Sequence, residues 1–316
     1  MKSFQQKHLL GTENLTKDEI TDIIETAQKF KELTSKGHEL IPTLLGKIIV
    51  LMFFEASTRT RSSFEIAAKR LGAETIDFSS IKSATTKGET LIDTAKNLEA
   101  MNPDAFVIRH SNSGSPYLVS KIQTVPVVNA GDGFHEHPTQ ALLDLMTIIQ
   151  YKKTVAGLKV LIVGDIAHSR VARSNVYCLK TMGAEVSLCG PATMLPPHIE
   201  SLGVKVYTDI KEALPHHDVV MMLRIQAERG GTSNQFPTVR EYSRHWGLKN
   251  KTVKLLKKDA IIMHPGPMNR GVEISQAVAD CDRSVILPQV TNGVAVRMCI
   301  LHKLCKGKSI EEVSLA

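Results

Sequence analysis

From Lys47 onward the sequence alternates, twice over, between short apolar runs and stretches with helical spacing, and this rhythm constrains the fold more than any other feature. The first series reads KIIVLMFF, a helical pattern carrying Phe64, Ala67, Ala68 and Leu71, then TIDF, a helix near Thr90 to Met101, AFVIR and VPVVN. The second reads LKVLIVGD, a helix around Val171 to Met182, then EVSLC, VKVY, DVVMML and AIIMH. Apolar runs without polar alternation are those of strands covered on both faces, and a strand–helix–strand order closes a parallel sheet through crossover helices. The expected class is α/β, with two domains, each a parallel β-sheet flanked by helices.

Length supports two cores. At 316 residues the chain exceeds the roughly 250–300 residues at which one core stops growing. Thr16 and Glu19 form a capping-box pattern, and Ile20, Ile23, Ile24, Ala27 and Phe30 follow at helical spacing, so an amphipathic helix opens the chain. A helix beginning at Pro138 closes the first half, with proline at a first-turn position that needs no N–H. The segment Tyr151 to Gly157 reads as a hinge or boundary. The expected domains are residues 1–150 and 151–316, with a C-terminal helix at about 287–305 packing back on the first.

Composition removes several classes. An apolar fraction of 42% and a charged fraction of 22% are those of a globular protein. The start MKSFQQKHLL has no apolar signal core, and no uncharged apolar run approaches the ~18 residues of a membrane span. The five cysteines form no CxxC and no paired His/Cys spacing, which supports neither a zinc site nor a redox pair and suits a reducing, cytoplasmic setting. Lys and Arg exceed Asp and Glu by 39 to 32, but the cations are scattered. The run Lys251 to Lys258 reads as a solvated helix face. Neither nucleic acid nor a membrane is an expected partner, and no metal or cofactor is expected.

Ligands of such sheets sit at the C-terminal ends of the strands, so the residues after each apolar run carry the chemistry. After KIIVLMFF comes EASTRTRSSFE, a strand-to-helix turn. Its backbone N–H groups, the hydroxyls of Ser57, Thr58 and Thr60 and the fork of Arg59 suit a phosphate, although Ser57 or Thr58 acting as an ordinary cap fits as well. Arg109 follows AFVI at a second strand end. His137 and Gln140 flank the start of the next helix, where an imidazole can polarise a carbonyl or merely pack. In the second half VLIVGD lacks the G-x-G-x-x-G pattern, which argues against NAD. Arg170 and Arg224, read as loop residues after strands, suit carboxylates. Pro265 to Pro267 form a rigid turn with carbonyls able to accept N–H groups.

Six segments together, STRTRSSFE, SATTKGETL, VIRH, HPTQALLDL, LRIQAER and HPGPMNRGVEI, resemble the carbamoyltransferases and, among them, the aspartate carbamoyltransferase family, over nearly the whole chain. Ornithine carbamoyltransferases carry HCLP and SMG where this chain has HPGP and LRIQ. The resemblance implies transfer of a carbamoyl group from carbamoyl phosphate to L-aspartate in pyrimidine biosynthesis, with the active site in the cleft between the domains. It implies that Ser57, Thr58, Arg59, Thr60 and Arg109 hold the phosphate, that Thr60, Arg109 and His137 contact the carbonyl oxygen, and that Gln140 and the Pro265 carbonyl, beside Gly266, hold the NH2. Arg170, Arg224 and Gln226 would bind the aspartate carboxylates. Ser83 and Lys87 would enter from a neighbouring subunit of a homotrimer, with regulatory chains or a dihydroorotase-like enzyme as possible further partners. Gly266 replaces the leucine of the family's HPLP turn.

Three other readings fit less well: an ornithine or other amino-acid carbamoyltransferase, a catalytically silent scaffold subunit, and a nucleic-acid binder. Every phosphate and carbonyl ligand of the family pattern is present, which counts against the scaffold. No Ser/His/Asp array is needed, because carbamoyl phosphate is already activated; electrostatic stabilisation of the charge growing on the carbonyl oxygen is the expected source of catalysis.

Overall fold

The computed structural model describes residues 4–78, 89–225, 238–310 and 313. The chain divides into two compact units, Met1–Leu143 with Thr291–Ala316, and Asp144–Val290.

In the first unit helix α1 (Lys17–Ser35) begins at a complete capping box: the Thr16 hydroxyl accepts the Glu19 N–H and the Glu19 carboxylate accepts the Thr16 N–H. Such a cap contributes about 1 kcal/mol, and it starts the register that buries Ile20, Ile23, Ile24, Ala27 and Phe30. The chain continues through β1 (Ile48–Phe53), α2 (Thr58–Arg70), β2 (Glu74–Phe78), α3 (Leu91–Glu99), β3 (Ala105–His110), α4 (Ser115–Ser120) and β4 (Val127–Asp132). The four strands pair in parallel in the order β2-β1-β3-β4. Val50, Met52, Phe106, Ile108 and Val127 form a core with Ala95, Leu98 and Val119. Helix α4, of six residues, carries too little periodicity to register in the sequence.

Helix α5 (Pro138–Lys152) leads into the second unit, followed by β5 (Lys159–Val163), α6 (Arg170–Thr181), β6 (Glu185–Cys189), β7 (Lys205–Tyr207), α7 (Ile210–Ala213), β8 (Val219–Met222), α8 (Val239–His245), β9 (Ile261–Met263) and α9 (Gln276–Ala279). The order is β7-β6-β5-β8-β9, again all parallel. Leu161, Val163, Val220, Met222 and Ile262 are buried together. One sequence reading changes here. Residues 251–258 are not a helix face: Thr252–Leu255 form one 3-10 turn, and Lys257 Nζ lies 2.7 Å from Asp218 Oδ1. The segment Tyr151 to Gly157 is the end of α5 and its turn into β5, where Lys152 is paired with Asp259 at 2.9 Å.

The last helix, α10 (Ile286–Leu304), carries the chain back to the first unit. There Lys303 Nζ lies 2.8 Å from Asp22 Oδ2, the Cys299 thiol donates to the Ile23 carbonyl at 3.3 Å, and Arg297 Nη1 donates to Ser63 Oγ at 3.0 Å. Among the described residues no helix is long and apolar enough to cross a membrane.

Candidate functional site

Strands β1, β3 and β4 are neighbours, so the chain leaves the first sheet at one edge in three adjacent places. β1 delivers the start of α2. Ser57 occupies its N-cap position, yet its hydroxyl makes no capping bond, and the first turn holds no acidic residue. The reading of Ser57 as an ordinary cap therefore fails. What is left is a helix start that carries a partial positive charge and no acidic residue in its first turn. Ser57 and Thr60 are half-buried, and Thr58 and Arg59 are exposed.

β3 delivers Arg109. The parallel register sets it opposite Phe53, and the next amide, Phe54 N–H, donates to the Arg109 carbonyl at 2.9 Å. Its guanidinium is held from both sides: Nε lies 3.3 Å from Oε2 of Glu55, in the turn after β1, and Nη1 donates to the carbonyl of Ala130 in β4 at 3.2 Å. Much of the rotamer entropy of a long side chain has been removed in advance by these contacts.

β4 delivers His137 and Gln140. Asn129 organises the loop between, donating to Asp132 Oδ1 at 2.8 Å and to the Leu10 carbonyl at 2.8 Å, and accepting the Gly131 N–H at 2.8 Å. Asp132 also accepts the N–H of Gly114 at 2.6 Å and of Glu136 at 3.1 Å. Burial pushes the Asp132 carboxyl up, but the His135 ring and these donors outweigh it and hold it below the ordinary value. Glu136 accepts the backbone N–H of Thr12 at 2.6 Å and its hydroxyl at 2.9 Å. Residue 11 must be glycine for this, because a Cβ there would collide with the Glu136 carboxylate. The His137 carbonyl then accepts the N–H of Gln140 at 3.0 Å, and the His137 ring is 4% exposed. Its position is set by backbone held on both sides.

In the second unit β5, β8 and β9 are likewise neighbours. Arg170 is the first residue of α6 rather than a loop residue, and it is 4% exposed. The difference arises because Ser169 caps the helix, its Oγ accepting the Ala172 N–H at 3.1 Å. Arg224 follows β8 and is half-buried. With Asp165, His168, Ser169, Pro265 and Gly266 it lines a small pocket of about 50 Å³. That volume holds one or two water-sized groups, the scale of a carboxylate.

The turn after β9 is built from buried polar groups. His264 N–H donates to Gln289 Oε1 at 2.9 Å, and Gln289 Nε2 donates to Asp144 Oδ1 at 2.7 Å. Gly266 N–H donates to His264 Nδ1 at 2.8 Å, which assigns the ring proton to Nε2, facing Glu273 Oε1 at 3.1 Å. Glu273 also accepts the Asn269 N–H at 2.5 Å, and Asn269 Nδ2 donates to the Ile225 carbonyl at 2.9 Å, next to Arg224. Gly266 has φ +65°, where glycine carries no Cβ penalty.

The candidates thus fall into two groups, Ser57, Thr58, Arg59, Thr60, Arg109, His137 and Gln140 at one edge of the first sheet, and Arg170, Arg224, Pro265 and Gly266 in the second unit. Ser83, Lys87 and Gln226 lie outside the described residues. Glu55, Glu136, Glu273 and Asn269 escaped the sequence reading; the signal available was their place beside strand ends already singled out.

The architecture is that of an α/β protein with two parallel sheets, and one group of candidate residues lies in each unit. Residues 7–150 match the family model described as the aspartate/ornithine carbamoyltransferase carbamoyl-P binding domain, and residues 156–304 match the Asp/Orn binding domain of the same family. The aspartate carbamoyltransferase catalytic subunit of Syntrophotalea carbinolica is 57% identical over 310 residues, covering 98% of this chain and 99% of that relative. That of Geobacter sulfurreducens is 54% identical over 310 residues, with the same coverage. Among solved structures, aspartate transcarbamoylase from Trypanosoma cruzi in complex with carbamoyl phosphate superposes with a TM-score of 0.85 at 29% identity, covering 94% of this chain and 96% of that one. The catalytic subunit of M. jannaschii aspartate transcarbamoylase gives 0.83 at 37%, covering 95% and 98%. The chain belongs to the aspartate/ornithine carbamoyltransferase family.

Proposed function

We propose that this chain is an aspartate carbamoyltransferase, which transfers the carbamoyl group of carbamoyl phosphate to the amine of L-aspartate and releases N-carbamoyl-L-aspartate and phosphate. The observation that carries this reading is the construction of the first unit's sheet edge, where the uncapped start of α2, the fixed Arg109 guanidinium and the buried His137 ring come from three adjacent strands.

In this reading Ser57, Thr58, Arg59 and Thr60 hold the phosphate, with Arg109 as a second cation. Gln140 accepts from the carbamoyl NH2. When the amine attacks, the carbonyl carbon becomes tetrahedral and negative charge grows on its oxygen. Thr60, Arg109 and His137 offer donors to that oxygen that need no reorganisation at the moment of reaction, which stabilises the transition state more than the ground state. The C–O bond to phosphate then breaks, and the departing phosphate takes the proton the amine releases. Arg170, Arg224 and Gln226 neutralise the carboxylates of aspartate. A homotrimer in the cytoplasm, with Ser83 and Lys87 supplied by a neighbouring copy, completes the proposal and places the chain in pyrimidine biosynthesis.

The test is product analysis by mass spectrometry after incubating the purified chain with carbamoyl phosphate and either aspartate or ornithine. Carbamoyl-aspartate and phosphate are expected. Carbamoyl-ornithine, or no product from either amine, contradicts the proposal.

A further inference from the structure

His137 has little backbone freedom of its own. Pro138 follows it at the start of α5, which fixes φ at residue 138 and disfavours helical backbone at residue 137. The placement of the ring therefore depends on the residue before it, and Glu136 is held at every polar group. Its N–H donates to Asp132 Oδ1 at 3.1 Å, and its carbonyl accepts the Asp132 N–H at 3.2 Å and the Asn129 side-chain amide at 3.3 Å. Its carboxylate accepts the Thr12 N–H at 2.6 Å, the Thr12 hydroxyl at 2.9 Å and the Glu13 N–H at 3.4 Å. Both Glu136 and Thr12 are buried. The donors belong to the opening segment of the chain, which lies along β4: Leu9 N–H donates to the Val127 carbonyl at 2.9 Å, and the Leu9 carbonyl accepts the Asn129 N–H at 2.8 Å.

We propose that Glu136, clamped by Thr12, is a positioning residue for His137, so that the opening segment of the chain sets the geometry of a donor to the reacting carbonyl oxygen. The inference deepens the carbamoyltransferase reading and rests on it. The plainer use of the contact is to seal the edge of the sheet at β4. Two observations go beyond that use. The edge is already paired through Leu9, with no part played by Glu136. The carboxylate is also tightly confined: a Cβ on residue 11 would collide with it, and the donors from Thr12 and Glu13 tie it in place. A displaced Glu136 side chain passes its movement to the next residue, which is His137. A donor that stabilises a growing charge must already stand in place when the reaction begins, and a clamp on the adjacent residue supplies that preorganisation.

Three variants of the full-length chain are compared with wild type: Gly11→Ala, which pushes on the carboxylate with an added methyl, Thr12→Val, which removes one donor at nearly constant shape, and Thr12→Ser, which restores it. Steady-state kcat and KM are measured at a temperature where circular dichroism shows each variant folded. The ring resonances of histidine-labelled protein are recorded by NMR, with His137 identified through His137→Asn. In Gly11→Ala, kcat falls about 10- to 100-fold, the scale for a catalytic group misplaced by up to about 1 Å. In Thr12→Val it falls about three- to tenfold, because the Thr12 N–H still holds the carboxylate. KM for carbamoyl phosphate stays within about threefold in both, since uniform binding is untouched. The His137 resonance shifts in both variants, and Thr12→Ser brings the resonance and kcat back toward wild type. The two Thr12 variants carry the test if Gly11→Ala does not fold. Unchanged kcat in a folded Thr12→Val, or a loss of kcat with the His137 resonance unmoved, overturns the proposal. So does a loss matched by an equal rise in KM for carbamoyl phosphate, which marks general loosening of the site. A wild-type chain that turns over no aspartate overturns instead the functional reading, and the His137 resonance then still tests the hold of Thr12 and Glu136 on the ring.

Discussion

His264 Nε2 lies 3.1 Å from Glu273 Oε1, and neither side chain is exposed. The pair holds together the turn at Pro265 and Gly266 and, through Asn269, the backbone next to Arg224. Removing one partner of such a pair strands the other without solvent, which costs about 1–3 kcal/mol, more for a charged group. Glu273→Ala is expected to lower the unfolding free energy by an amount in that range and to raise aspartate KM, read by urea denaturation and steady-state kinetics. Unchanged values in both would remove this pair from the account of the turn.

Arg59→Ala is expected to leave unfolding free energy within about 0.5 kcal/mol of wild type, because the side chain is exposed. Turnover is expected to fall about 100- to 1,000-fold, the range for losing one preorganised donor to a group that gains negative charge in the transition state, here the departing phosphate. A parallel fall in stability would mean that Arg59 supports the turn rather than the reaction.

Most of the fold was legible because strands buried on both faces leave continuous apolar runs, and the rhythm of those runs gave both sheets. The strand-end residues were legible for the same reason, since a strand end can be found once a strand is. The supports were not. Thr12 and Glu136 are 124 residues apart, and Asp144 and Gln289 are 145 apart; no local periodicity links such positions. Arg170 was placed in a loop because the capping role of Ser169 left the helix start one residue earlier than the apolar pattern did. At Lys251 to Lys258 the spacing of charges suggested a helix that a single 3-10 turn replaces, an instance of tertiary context overriding a short pattern.

Asp132 has its carboxyl held below the ordinary value of 3.8; burial opposes this and the bonds from His135, Gly114, Asn129 and Glu136 outweigh burial. A depressed carboxylate adds stability that is complete above its unfolded value and is lost as pH falls through the folded one. Asp132→Asn is therefore expected to be less stable than wild type at neutral pH, with the difference shrinking as pH drops below about 4. Thermal unfolding of both proteins across that range checks it; a difference independent of pH would show that the charge is not involved.

Cys189, Cys299 and Cys305 have thiols pushed up to about 12 by burial, and Cys178 is buried as well, whereas Cys281 is half-buried. Alkylation needs the thiolate and access. Brief treatment of the folded protein with iodoacetamide is expected to label Cys281 first, with the other four labelled after denaturation, as read by peptide mass spectrometry.

The central claim is that the phosphorylated donor and the acidic amino acid are recognised by separate sets of residues, one at each sheet. The most direct measurement is the pair of KM values in Arg224→Ala. The account predicts a rise of about tenfold or more for aspartate with the value for carbamoyl phosphate close to wild type. Equal rises for both substrates would contradict it.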